Sequence, residues 1–137
     1  MAYDIPIGAM TIYCEASDQS MAARLGVAWT FVNRMKLNPA RFGKTISEVC
    51  LMRMQYSEWN ADKADNANLR RAARAEDDDP ILAECELLLR EAMAGTAADP
   101  TGGATHYYDT SISAPDWTKG AVQCCHLGNM IFFKGVQ

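Results

Sequence analysis

The stretch Ala9-Met10-Thr11-Ile12-Tyr13-Cys14-Glu15-Ala16-Ser17-Asp18 sets one carboxylate at the end of an apolar run, just before the small and apolar residues of a helix. From Ser17 or Asp18 to about Met35, the residues Met21, Leu25, Ala28, Val32 and Met35 recur at three- and four-residue steps, which places them on one helical face. Either Ser17 or Asp18 is suited to cap that helix. Glu15 then admits two readings. With apolar neighbours its charged form is disfavoured, so it can hold a proton at neutral pH and deliver it as a general acid. Alternatively it sits in the first turn of the following helix, where negative charge offsets the helix dipole.

Outward from this segment, Asn38-Pro39 closes the helix and Phe42-Gly43-Lys44 reads as a loop. Thr45-Ile46-Ser47-Glu48 matches a capping box opening a short helix to about Met52. Residues 55–60 read as irregular and 63–79 as a solvated helix with a loop. Asp79-Pro80 is a helix start, followed by Ile81, Leu82, Cys85, Leu88, Leu89, Ala92 and Met93 on one side and a stop at Gly95. Beyond it, Asp99-Pro100-Thr101-Gly102-Gly103-Ala104, Thr105-His106-Tyr107-Tyr108 and Ile131-Phe132-Phe133 predict short strands joined by turns. The expected fold class is α+β, mainly α-helical, with a small C-terminal β element, in a single domain spanning 1–137.

The chain of 137 residues, 49% apolar and 22% charged, has the composition of a soluble globular domain. A net charge of −4 gives no long-range attraction to nucleic acid or to an anionic membrane, so neither is expected as a partner. The opening residues Met1-Ala2-Tyr3-Asp4-Ile5-Pro6 lack the basic and apolar segments of a secretory signal, which points to residence in the cytoplasm. Cys14, Cys50, Cys85, Cys124 and Cys125 are odd in number and read as reduced thiols. A metal site from Cys124, Cys125 and His126 is disfavoured, because adjacent strand residues point to opposite faces. No metal and no cofactor are expected.

Several segments together resemble the cell-wall hydrolases of the spore-cortex-lytic, SleB-like type, a family that includes bacteriophage lysins. They are Cys14-Glu15-Ala16, Val27-Ala28 through Asn33-Arg34, Gln55-Tyr56-Ser57, Asp99 to Ala104 with Tyr107, Pro115-Asp116-Trp117, and Leu127-Gly128-Asn129 leading to Phe132-Phe133. The resemblance implies a lysozyme-like fold related to goose-type lysozyme and lytic transglycosylases. It also implies cleavage of peptidoglycan glycan strands between N-acetylmuramic acid and N-acetylglucosamine, with Glu15 as the catalytic acid. Two departures stand out. Asp18-Gln19-Ser20 occupies the stretch where the family tends to carry a second glutamate, and Met130 stands where it usually has a histidine.

Glycoside cleavage needs a proton for the leaving oxygen, and hydrolysis adds a second carboxylate. Asp18, Asp99, Asp109 and Asp116 are the candidates: capping accounts for Asp18 and a turn beside Pro for Asp99 and Asp116, while Asp109, after two tyrosines, is open to a place in a cleft although a turn explains it more readily. A route needing one carboxylate is intramolecular attack by the muramic acid 6-hydroxyl, giving a 1,6-anhydro product, with Glu15 as acid and then base. That lytic transglycosylase route is favoured, with a water-using muramidase as the alternative. A non-catalytic peptidoglycan-binding phage protein is the reading from another class. Gln55, Tyr56 and Ser57 are the candidate sugar contacts on one wall, and His106, Tyr107 and Tyr108 on the other. Phe132 is read as core, Trp117 as a packing anchor, and Asn33-Arg34 as fixing the helix end to a loop. The biological expectation is a monomeric endolysin, held in the host cytoplasm until released to the periplasm or cell wall.

Overall fold

A computed structural model describes residues 3–52 and 79–137. Gln55, Tyr56 and Ser57 lie outside the described residues, as does the solvated helix and loop expected over 63–78. Among the described residues the chain runs through helices α1 (Asp4–Ala16), α2 (Met21–Leu37), α3 (Pro39–Phe42), α4 (Ile46–Leu51) and α5 (Pro80–Ala94). Strand β1 (His106–Asp109), a 3-10 turn (Asp116–Thr118), β2 (Val122–Leu127) and β3 (Met130–Lys134) follow.

The apolar run ending at Glu15 is itself a helix, which corrects the expectation that the first helix begins after it. Ile5, Gly8, Ala9 and Ile12 recur at the helical interval and the last three are buried. The cap of α2 also differs from expectation. Ser17 serves as the C-cap of α1, and Ser20 takes the extended conformation and accepts the Ala23 N–H at 3.2 Å. Two helices that meet at a sharp turn need non-helical residues between them, so the cap falls to the last polar residue of the turn.

Other boundaries follow the sequence more closely. Asn38 ends α2, and its side chain accepts the Arg41 N–H at 3.0 Å, so Pro39 to Phe42 form one further helical turn where a loop was expected to include Phe42. Thr45 caps α4 through the Glu48 N–H, while Glu48 reaches back to the Lys44 N–H at 2.6 Å. Asp79 accepts the Ile81 and Leu82 N–H groups at the start of α5, and Gly95 ends it in the left-handed region at φ 73°.

The buried core is built from α1, α2, α4 and α5, with Ile12, Val27, Phe31, Ile46, Val49 and Leu89 fully enclosed. Gly8 lets α1 approach Leu89 and Ile46 closely. At Gly26 a methyl group would stand 2.8 Å from Phe132 Cζ and 3.1 Å from Thr101 Cγ2, so α2 lies directly on β3. The sheet is antiparallel in the order β1-β3-β2. A register shift between Gln123 and Cys125 bulges β2 at Cys124. Phe132 and Met130 face the helices, and both are buried. Met130, at the position where a histidine was expected from the resemblance, is therefore a core side chain.

Candidate active site

Glu15 occupies the last turn of α1 and is half-buried. A helix C-terminus is the negative end of the dipole, so the alternative in which Glu15 compensates a helix N-terminus does not describe its place. The positive group at this helix end is Arg24, buried on α2. Its Nη1 donates to the carbonyls of Ala16, Ser17 and Gln19, at 3.4, 3.4 and 2.5 Å, and its Nε and Nη2 meet Glu84 of α5 at 2.7 and 2.6 Å. One guanidinium thus closes the end of α1, shapes the turn after Glu15 and ties both to α5.

The turn also reaches the sheet. Gln19 donates from Nε2 to Asp109 Oδ2 at 3.2 Å and accepts the Asn129 N–H on Oε1 at 2.9 Å. Gly128, at φ 58°, lies under it so closely that a methyl group there would stand 2.9 Å from Gln19 Oε1. Arg24 was not singled out in the sequence, and Gln19 only within the Asp18-Gln19-Ser20 stretch that departs from the family's second glutamate. The spacing of Gln19, four residues after Glu15 and opposite a Gly-Asn turn, is the signal that could have found it.

On β1 the alternation divides the three aromatic candidates. Tyr107 turns to the helix side, packs against the core and lies 5.5 Å, ring to ring, from Phe132. His106 and Tyr108 take the other face, where Trp117 lies 5.3 Å from the His106 ring and 5.4 Å from Phe133, and Tyr108 stacks 5.9 Å from Phe133. Trp117 is the packing anchor expected of it. Burial, and then the charges of Arg34 and Arg41, push the His106 imidazole down to about 4, so it is neutral at physiological pH. Tyr107 thus faces the helices, and His106 and Tyr108 face the opposite side of the sheet.

The Asp99 to Ala104 loop is latched to α2. Asp99 accepts the Thr101 N–H and hydroxyl at 2.8 and 2.7 Å, the Gly103 N–H at 3.0 Å and Asn33 Nδ2 at 2.9 Å. Burial opposes its charge, and these bonds outweigh that effect, so the carboxyl is held below the usual range. Asn33 also donates to the Ala104 carbonyl at 2.9 Å, and Arg34 to the Thr105 carbonyl at 2.6 Å, which is the helix-to-loop role read from the sequence. Of the other acids, Asp109 also accepts the Ser111 N–H at 2.9 Å, Asp18 is exposed, and Asp116 stands in solvent 3.7 Å from Lys119. No disulfide joins the five cysteines, and no cluster suited to a metal ion occurs among the described residues.

Residues 18–133 match the family described as Cell Wall Hydrolase. The chain belongs to that family. Membership makes it an enzyme of cell-wall degradation, as the resemblance implied. Glu15 lies just ahead of the matched segment, in the preceding helix. Among solved structures, the catalytic domain of the Bacillus cereus SleB protein is similar, with a TM-score of 0.73 and 22% identity over 98% of this chain and 91% of that one. The catalytic domain of the germination-specific lytic transglycosylase SleB from Bacillus anthracis is similar too, with a TM-score of 0.70 and 22% identity over 98% and 96%. No curated protein sequence matches the chain. These likenesses bear out the expected lysozyme-like α+β fold with its small C-terminal sheet.

Proposed function

We propose that this cell wall hydrolase cleaves the β-1,4 bond between N-acetylmuramic acid and N-acetylglucosamine in peptidoglycan strands by lytic transglycosylation. Glu15 protonates the leaving oxygen, and the same carboxylate then removes the proton of the muramic acid 6-hydroxyl as it closes on its own anomeric carbon. The observation that carries this reading is a half-buried carboxylate at the C-terminal turn of α1, beside a turn bonded to the sheet that bears Tyr107. The SleB domain of Bacillus anthracis, which shares the fold, is a lytic transglycosylase by description.

The other acids considered support the one-carboxylate route. Asp99 is committed to four donors, Asp109 to Ser111 and Gln19, and Asp18 and Asp116 stand at the surface. A nucleophile needs a free lone pair for the anomeric carbon, and a base one for the attacking water; four donors fill those of Asp99, and Asp109 is engaged in fastening the turn and the end of β1. Tyr107 is the aromatic wall proposed for the sugar, with Gln55, Tyr56 and Ser57 as the contacts opposite. His106 and Tyr108 act by holding β1 against Trp117 and Phe133.

The reaction product tests the reading. Mass spectrometry of digested sacculi is expected to give anhydromuramic ends, each lighter by one water than a hydrolytic end. Reducing ends in their place assign the muramidase reaction, and full clearing of a cell-wall suspension by Glu15→Gln rejects the mechanism altogether. The chain is further proposed to act as a monomeric phage lysin, held in the host cytoplasm until release to the periplasm or wall. No helix among the described residues is long and apolar enough to cross a membrane. Lysis of producing cells only after a pore-forming agent is added is the expected result.

A further inference from the structure

We propose that Gln19 is a positioning residue for the reaction, an uncharged clasp that fixes the turn following Glu15 against the strand that carries Tyr107. This rests on the reading of Glu15 as the acid. The turn is rigid along its main chain: the Gln19 N–H donates to the Ala16 carbonyl at 3.0 Å, and the Gln19 carbonyl accepts Arg24 Nη1. Its side chain then reaches two separate parts of the sheet, Asp109 at the end of β1 and Asn129 in the β2–β3 turn. Tyr107 and Asp109 are two residues apart on β1 and so share a face. A bond from Gln19 to Asp109 therefore fixes the turn that follows Glu15 relative to the strand bearing Tyr107, the residue proposed for the sugar wall.

The chemistry of the side chain matters as much as its reach. An amide accepts from the Asn129 N–H and donates to the Asp109 carboxylate at the same time, and carries no charge while doing so. The isosteric glutamate accepts from Asn129 equally well but meets Asp109 as a second carboxylate, and the two then hold together only around a shared proton. The charged groups about the clasp are Asp109 on β1, Asp18 beside it in the turn, Glu15 at the end of α1 and Arg24 on α2. The hairpin turn presents the main chain of Gly128 and Asn129. Gly128 fits this assignment, since a side chain at that position would displace Gln19 Oε1.

The test uses turnover on soluble glycan strands, measured for the full chain across pH. Gln19→Ala is expected to lower kcat by roughly 10- to 100-fold with KM within about twofold, the signature of a misplaced acid and not of a lost sugar contact. Gln19→Glu is expected to be impaired at pH 7 and to recover relative to wild type as pH falls and the carboxylate pair gains its proton. The exchange Gln19→Glu with Asp109→Asn moves the amide to the other side of the bond and keeps every donor matched to an acceptor. It is expected to restore kcat at pH 7 to within about threefold of wild type. A folded Gln19→Ala with unchanged kcat overturns the proposal, and so does an exchange variant no more active than Gln19→Glu alone. If Gln19→Ala does not fold, the exchange pair decides. Glu15→Gln separates the two claims: if it stays active, the reading of Glu15 fails, whereas an inactive Glu15→Gln beside a fully active Gln19→Ala removes only the clasp.

Discussion

The helices and the sheet are held in place by different forces. Between α1, α2, α4 and α5 the core contacts are apolar side chains meeting apolar side chains, with Gly8 letting Leu89 and Ile46 close on α1, and the polar ties of Arg24 to Glu84 and of Asp4 to Ser47 join helices beside that core. The sheet buries Phe132 and Met130 in that core and packs Tyr107, Cys124, Cys125 and Leu127 against it, but its loops and strand ends are fastened to the helical part by polar groups: Asn33 and Arg34 at one end of α2, Gln19 before the other. Apolar burial is strong and non-directional, whereas a hydrogen bond contributes little net stability and fixes distance and angle. Glu15 belongs to the first part and Tyr107 to the second. The lesson is that folding energy and cleft geometry reside in different residues, so they can be broken separately.

The largest expected effect is on chemistry alone. Glu15→Gln should lower turnover by about 10²- to 10⁴-fold, measured on a variant shown to be folded, since the change keeps the side chain's shape and removes the proton donor. Next in size is Phe132→Ala, which empties the main apolar anchor of the sheet and should cost about 3–5 kcal/mol in equilibrium unfolding. A cost below about 1 kcal/mol would contradict the place given to that ring. Asn33→Ala should cost less, about 1–3 kcal/mol, by stripping donors from Asp99 and the Ala104 carbonyl. Activity should nonetheless fall more with Asn33→Ala than with Val49→Ala, a truncation within the helical core, and equal losses would erase the distinction between the two regions.

Acid sharpens the same comparison. Unfolded histidine titrates near pH ~6.5, while His106 in the fold is pushed down to about 4 by burial and then by Arg34 and Arg41. The unfolded chain therefore binds the extra proton between these values, and the stability that His106 contributes is whole above pH ~6.5 and lost as pH falls toward 4. The shift converts to about 3 kcal/mol at most, less after solvent screening because the ring is only partly buried, and His106→Gln should flatten it in urea titrations run at several pH values. Asp99, whose carboxyl is held down, keeps its contribution through that window and gives it up only below the ordinary carboxylate range. The smallest effect is at the α4 cap, where Thr45→Ala should cost about 1 kcal/mol in the same titrations.

Much of this was legible in the chain. Asp79-Pro80 and Gly95 mark α5 because caps are local chemistry, and the Gly- and aromatic-rich tail reads as strands because turn residues are local as well. The helix over Asp4–Ala16 was missed because Ile5, Gly8, Ala9 and Ile12 look like a featureless apolar run until a partner surface is known, and Ser17 looked like a cap because capping residues are also turn residues. Glu15 stood out through its apolar neighbours. The division of His106 and Tyr108 from Tyr107 follows from alternation once β1 is accepted, but which face meets the helices depends on α2 lying against Phe132, a long-range fact. Gln19 was illegible for the same reason, its partners lying 90 and 110 residues away.

Gly26 and Phe132 are matched in volume, the tip of the ring standing 2.8 Å from where a methyl group at 26 would lie, too close for both. Neither residue can drift alone. A descendant that acquires alanine at 26 has to surrender ring atoms at 132 or let the sheet slide off the helix, so the two sites are expected to be inherited as a couple, each holding the other in place through time.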